Sequence, residues 1–371
     1  MKTAIIGGGI LGTALAYRLT TEGVDVELFE AGRLGGGTSM VGAGWLNSGG
    51  KEPYEYHLLN VCGMAEHATV AREFGHAPWY HADGNLEWTG PDRADALSAH
   101  AERLRSWGYP VELLSPRRVN ELEPFLKVPD DVDRVAHYPW EGMADLPQLI
   151  GAFAHRAAAN GAKLRTDTRV ASVALDGDQA TGVVLDDGTT VPADTVAICA
   201  GRWSDRVAAT AGVTLPMAPT LGFNIYTGPS PVVLTAMVHA PDVHLRPEGG
   251  GRVLARSGEF DDAVPIDAVP IDAQLDPAAA VGHELLARAV RYLPGLDGAA
   301  IEGARVAYRS IPGDKHPVVG AVPGRPGLYL MVTHSGGTLG PLLGRLAALE
   351  IAHGALDPRL ATFRPDRIVS L

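Results

Sequence analysis

Hydrophobic and polar positions change period sharply within the first thirty residues. Residues 3–6, Thr-Ala-Ile-Ile, make a short apolar run with a β-branched end, the signature of a buried strand. Leu11, Leu15 and Leu19, with Ala14, then fall at helical spacing until Gly23 stops the pattern, and residues 24–29 alternate like a second strand ending at Glu30. Between the first strand and the helix stands Gly7-Gly8-Gly9-Ile10-Leu11-Gly12. Further along, Lys163–Arg165 and residues 170–175, 181–185 and 194–200 read as strands, with turns at Asp176-Gly177 and Asp186-Asp187-Gly188. Residues 327–332 read as a strand, followed by a helix with Leu342, Leu346 and Leu349 on one face and Gly354 as its stop. Asp276-Pro277 has the form of an N-cap and first helical residue, opening a helix to about Tyr292. The tandem repeat from Asp262 to Asp272 carries two prolines, which bars it from a central strand and leaves a surface loop or a lid.

Composition narrows the classes. At 371 residues the chain has room for two to three domains of about 150 residues each. Its 46% hydrophobic and 20% charged residues are ordinary globular usage, and no uncharged apolar run reaches the ~18 residues of a membrane span. With 31 Lys+Arg against 43 Asp+Glu the formal charge is -12, which repels a phosphate backbone and argues against a nucleic-acid partner. Cys62 and Cys199 cannot make a disulfide framework and no CxxC pair offers a metal site, so a reducing, cytoplasmic setting and no metal are expected. Met1-Lys2 and the apolar run after it resemble a secretory signal. Three consecutive glycines interrupt that run, however, and Arg18 and Glu22 follow where a cleavage site would stand, so the segment reads as structure.

The opening segment carries the first chemistry. Gly7, Gly9 and Gly12 fit G-x-G-x-x-G between a strand and a helix. Gly7 makes the turn, Gly9 lets a pyrophosphate approach the backbone, and Gly12 lets helix and strand pack closely. The helix N-terminus, at Ile10 and Leu11, offers N–H groups and a partial positive charge to phosphates. Glu30 ends the second strand where a carboxylate can hold a ribose hydroxyl, favouring FAD or NAD over NADP.

Residues 31–50 decide between the two. An NAD domain would move on to its next βαβ unit, whereas here a long Gly/Ser/Thr segment follows, including Gly35-Gly36-Gly37-Thr38-Ser39. This segment resembles the region after the first βαβ unit in flavoproteins of the D-amino acid oxidase (DAO) superfamily, where it wraps the second phosphate and the ribityl chain. The resemblance recurs at Ala200-Gly201-Arg202-Trp203-Ser204, similar to A-G-x-W-S, and at residues 309–320, similar to R-P-x-T-P-D-x-x-P-x-x-G. It continues at the glycine-rich loop of residues 333–341 and at Phe363-Arg364-Pro365-Asp366-Arg367. It implies an α/β chain: a Rossmann-like FAD-binding domain of the glutathione-reductase type from residues 1–85, 141–215 and 305–371. Residues 86–140 and 216–304 would form an α+β substrate domain on a mostly antiparallel sheet.

The same resemblance assigns roles. Ala31, Arg33, Thr38, Ser39, Val170, Ala200, Gly201 and Trp203 would join the glycine fingerprint in holding FAD. The backbone of Gly336, Gly337, Thr338 and Leu339 would face flavin N1/O2, where N–H groups stabilise the charge that develops on reduction. Arg309 would grip a substrate carboxylate through two parallel hydrogen bonds, its alternative being a structural salt bridge, for instance to Asp314. Relatives place a tyrosine three residues before a strand proline as a second anchor. Here His244 stands at that place, before Pro247, with Tyr226 and Tyr308 as substitutes. His334 and the Thr338 side chain would face the substrate or shape the turn. Relatives that attach FAD covalently use a cysteine or histidine where this chain has Ala307 and Val41, so dissociable FAD is expected. The implied reaction is oxidation of the C–N bond of an amino or imino acid, with electrons passed to O₂. The alternatives are a quinone- or carrier-linked dehydrogenase, a hydroxy-acid oxidiser, and a flavin-binding subunit without turnover.

Overall fold

The computed structural model describes residues 1–218, 220–261 and 280–371. The expected opening unit is present: strand Lys2–Ile6, helix Ile10–Thr21 and strand Asp25–Phe29. The two strands pair in parallel, Ile6 opposite Phe29. They lie inside a six-stranded sheet of order Val318–Ala321, Leu328–Val332, Thr195–Ile198, Lys2–Ile6, Asp25–Phe29, Lys163–Arg165, in which only the edge strand Val318–Ala321 is antiparallel. A sheet covered on both faces demands continuous apolar strands, and Ala4, Ile5, Val196, Ala197, Ile198, Leu330, Met331 and Val332 are all fully buried. Val170–Asp176, Gln179–Leu185 and Thr190–Pro192 form a separate antiparallel sheet of three strands, turning at Gly177 and Gly188 as the sequence indicates.

Two helices on the large sheet meet unusually closely. Helix Gly336–His353 ends at Gly354, whose left-handed backbone is the expected stop. It crosses Ile10–Thr21 at Gly340 and Gly344, where an added Cβ would come within 2.6 Å of the Ile10 side chain and 2.7 Å of Ala14. Arg18 and Glu73 tie Ile10–Thr21 to helix Tyr54–Phe74 through two hydrogen bonds of 2.8 and 3.0 Å.

The second sheet has eight strands, in the order Ile301–Tyr308, Leu221–Thr227, Arg252–Arg256, His244–Gly249, Met237–His239, Asn85–Glu87, Val135–Tyr138, Glu112–Leu114. Every neighbouring pair is antiparallel except Met237–His239 against Asn85–Glu87. The chain is therefore an α/β protein with a parallel nucleotide-type sheet and a second, mostly antiparallel one. The boundaries expected at 85 and 305 fall inside strands of this second sheet. Helix Ala280–Tyr292 ends where the sequence places it and presents Leu285, Ala289 and Tyr292 to the core. Its expected cap at Asp276-Pro277 and the tandem repeat 262–272 lie outside the described residues. Among the described residues no helix is long and apolar enough to cross a membrane, and no His/Cys/Asp/Glu cluster could hold a metal ion.

Candidate active site

A single long cavity of about 1180 Å³ runs from the Gly7 turn, across the ends of the parallel strands, to the start of helix Gly336–His353. Its first half is built from backbone. Gly7 has φ 108°, and a Cβ there would sit 2.5 Å from the Cys199 carbonyl oxygen. A Cβ on Gly12 would lie 1.9 Å from the Gly7 oxygen, so Gly12 packs the turn against the helix and does not itself line the cavity. Gly9, Ile10 and Leu11 do line it, although the Ile10 N–H donates to Ser39 Oγ at 3.2 Å and is already partnered. Glu30 stands at the strand end as expected, its carboxylate accepting from Gly8 N at 2.8 Å and Gly32 N at 2.9 Å. Ala31, Arg33, Thr38, Ser39, Val170, Ala200, Gly201 and Trp203 all reach the same cavity. The Thr38 hydroxyl donates to the Tyr308 carbonyl and pins the loop to the second sheet.

The other half is built from side chains. Arg309 lines the cavity, and its Nη2 lies 2.6 Å from Asp261 Oδ2. The alternative partner, Asp314, is taken by Arg367 at 2.5 Å, so that pairing is corrected. Arg256 also lines the cavity and reaches the same Asp261 carboxylate at 3.2 Å. His334 is on the wall. Burial, then the positive charges of Lys51, Arg309 and Arg256, push its pKa down to about 3, so its imidazole is neutral at physiological pH. Gly336 and Gly337 open their helix at the cavity, leaving first-turn N–H groups free of intrahelical partners. His67, buried and pushed down to about 4, bonds the Gly337 carbonyl through Nε2 at 2.8 Å and fixes that end.

Two of the assigned site residues, Leu339 and His244, are corrected here. Leu339 donates its N–H to the Ser335 carbonyl at 2.8 Å and packs into the core away from the cavity, because the helix has already begun. Thr338 lines the cavity, and its hydroxyl donates to the Trp45 carbonyl at 3.1 Å and accepts from Asn47 N at 3.2 Å, the second of the two roles expected for it. His244 is absent from the wall. Asn224, Arg256 and His244 are register partners in one row across three strands; Asn224 and Arg256 reach the cavity, and His244 is one strand too far. Its ring instead packs 4.3 Å from His239 in a separate pocket of about 20 Å³. Tyr226 and Tyr308 do not line the main cavity either. The side chain of Ala307 lies outside the described ones, and Val41 is on the wall.

A sequence model of the FAD-dependent oxidoreductase family DAO matches residues 2–349. The chain belongs to that family. It is 28% identical over 361 residues to a glycine oxidase of Geobacillus kaustophilus, covering 93% of this chain and 91% of that one. The solved structure of glycine oxidase from Geobacillus kaustophilus superposes with a TM-score of 0.83 over 98% of this chain and 97% of that one. Iminodiacetate oxidase from Chelativorans sp. BNC1, 25% identical, gives 0.84 over 98% of each chain.

The cavity fits the FAD of a family member. A dinucleotide needs a wall without side chains where its diphosphate lies, and Gly7, Gly9, Gly36 and Gly37 supply one; a Cβ on Gly37 would already touch the Trp203 ring at 3.4 Å. Sequence reasoning missed Trp45, Lys51, Asn224 and Arg256 on the wall of this oxidoreductase. It also missed Glu141, which is 1% exposed and holds the loop behind them. Glu141 accepts from Trp45 Nε1 at 3.1 Å, Ser48 N at 3.1 Å, Gly49 N at 2.7 Å and the Tyr109 hydroxyl at 2.9 Å. Burial still pushes its pKa up to about 7. The one signal available was the repeated Gly49-Gly50 before a lysine, which by itself reads as an exposed turn.

Proposed function

We propose that this oxidoreductase oxidises the C–N bond of an amino or imino acid, with Arg309 as the anchor of the substrate carboxylate and FAD held without a covalent bond. The observation that carries the reading is the meeting of Arg309, neutral His334 and the N-terminus of helix Gly336–His353 at one end of the cavity that begins at the glycine turn. The relatives named above, a glycine oxidase and an iminodiacetate oxidase, support it, since both names describe amines that carry a carboxylate.

The cofactor would supply the two-electron acceptor, with loss of a hydride from Cα leaving an imine that water hydrolyses to the oxo acid. The chain's own part is placement. A substrate carboxylate would take over the place of Asp261 on the Arg309 guanidinium, whose two parallel N–H donors would then fix Cα. His334, uncharged, adds no repulsion toward the substrate nitrogen. The N–H groups at Gly336 and Gly337, free of intrahelical partners, would stabilise negative charge on the bound cofactor. Trp45, stacked on His239 at 3.8 Å, closes the wall with an apolar ring and keeps water from the reacting carbon.

The test is anaerobic mixing of the yellow holoprotein with a panel of amino, imino and hydroxy acids. Bleaching by amines and not by hydroxy acids is the expected result, and bleaching by no amine overturns the reading. Peroxide release under air separates O₂ from a quinone or carrier as acceptor. Flavin released into the supernatant on acid precipitation supports dissociable FAD, for which the alkyl side chain of Val41 is the structural argument.

A further inference from the structure

Three cations line the substrate end of the cavity. Lys51, Arg256 and Arg309 converge on it from three separate parts of the chain, a loop, a strand end and the residue after another strand. One carboxylate, Asp261, contacts both arginines. The N-terminus of helix Gly336–His353 would meet the charge developing on a bound FAD without calling on a side chain.

Lys51 is the cation left over. Its ammonium lines the cavity with no ion pair or hydrogen bond among the described residues, and its nearest aromatic neighbour is the Tyr56 ring at 5.8 Å. Glu141 acts on it electrostatically from behind the 45–49 loop, yet that carboxylate is engaged by Trp45, Ser48, Gly49 and Tyr109 and makes no contact with the lysine. Burial lowers the Lys51 pKa to about 8, so the group is still mostly protonated near neutrality. An unpartnered ammonium on the wall of a half-enclosed cavity is costly to hold, and the cost is relieved when an anion arrives.

We propose that the substrate is an amino or imino dicarboxylic acid, its second carboxylate bound by Lys51 while the first lies on Arg309. The proposal rests on the reading of the site given above and narrows it to one substrate class. Lys51 would be a specificity-determining residue. It touches the far end of the substrate and takes no part in breaking the C–H bond.

The experiment compares matched pairs that differ by one carboxylate: iminodiacetate with sarcosine, and aspartate with alanine in both enantiomers. Anaerobic flavin reduction by the wild-type holoprotein should favour the dicarboxylate of at least one pair by about tenfold or more in rate over dissociation constant, the scale of one charge-assisted hydrogen bond. Lys51→Met should bring that ratio down to about one, and Lys51→Arg should restore it. A second readout needs no turnover: succinate, which has no nitrogen to oxidise, should perturb the flavin absorption of the wild type and bind Lys51→Met about tenfold or more weakly. If Lys51→Met loses its flavin, Lys51→Gln and the wild-type ratios decide. Equal reduction of both members of each pair by the wild type, or a dicarboxylate preference that survives Lys51→Met, overturns the proposal while leaving amine oxidation intact. If no amino or imino acid bleaches the flavin, the broader reading and this one fall together.

Discussion

The two ends of the long cavity are made by different means. At the glycine turn the wall is backbone: Gly7, Gly9, the N-terminus of helix Ile10–Thr21 and the strand end at Glu30, all within thirty residues of one another. At the opposite end it is side chains, with Lys51, Asn224, Arg256, Arg309 and His334 gathered from segments up to almost three hundred residues apart. Backbone walls fit what is common to a dinucleotide, while charged side chains on separate supports fit what differs between one substrate and another. At Gly7 and Gly12 the first end therefore has no room for an added atom, while substitution at the second is expected to change the ligand.

The largest test of that contrast is Gly12→Val. Its Cβ alone would overlap the Gly7 carbonyl, at 1.9 Å, so the turn must open. The expected outcome is colourless protein that takes up no added FAD, with a loss of about 3 kcal/mol or more in unfolding free energy. Arg309→Ala should do the reverse, keeping the flavin while raising the dissociation constant of carboxylate substrates by roughly 10- to 100-fold, as read from the concentration dependence of anaerobic bleaching. A loss of flavin in Arg309→Ala would erase the distinction between the two ends.

Glu141→Gln probes how the substrate end is supported. The pKa of Glu141 is raised from its ordinary 4.5 to about 7 by burial, so the folded chain holds a proton that the unfolded chain releases. Its contribution to stability is complete below about pH 4.5 and is lost as the pH rises through about 7. Relative to Glu141→Gln, the wild type should therefore lose on the order of 2 kcal/mol between pH 5 and pH 8, measured by denaturant melts of both proteins. The smallest effect is expected away from both ends. Gly354→Ala places a side chain on a left-handed residue with open space around it, costing about 1 kcal/mol in stability and leaving flavin and substrate untouched.

What could be read in the sequence follows the same division. The strands, the helix Ile10–Thr21, the packing role of Gly12, the position of Glu30 and the stop at Gly354 all depend on neighbours a few residues away, and each is found where the pattern places it. The substrate end depends on which strands lie side by side, which no local period records. His244 shares a register row with Arg256 and Asn224, and only the strand order decides which of the three reaches the cavity. Arg256 closes a strand whose arginines stand at both ends, and nothing in Arg-Val-Leu-Ala-Arg tells a cavity-facing guanidinium from a solvated one. Leu339 was misplaced for a simpler reason: the loop read over residues 333–341 ends at Ser335, six residues earlier, and the helix consumes the N–H.

The crossing at Gly340 and Gly344 joins the two ends mechanically. The helix that begins at the diphosphate wall and the helix that begins beside His334 touch through atoms as small as chemistry permits, Ile10 against Gly340 and Ala14 against Gly344. The spacing of their N-termini is thereby set like a gauge block, by direct contact of the two helices. A single methyl at Gly344, more than a full turn from either terminus, would force the gauge apart and be felt at both tips at once.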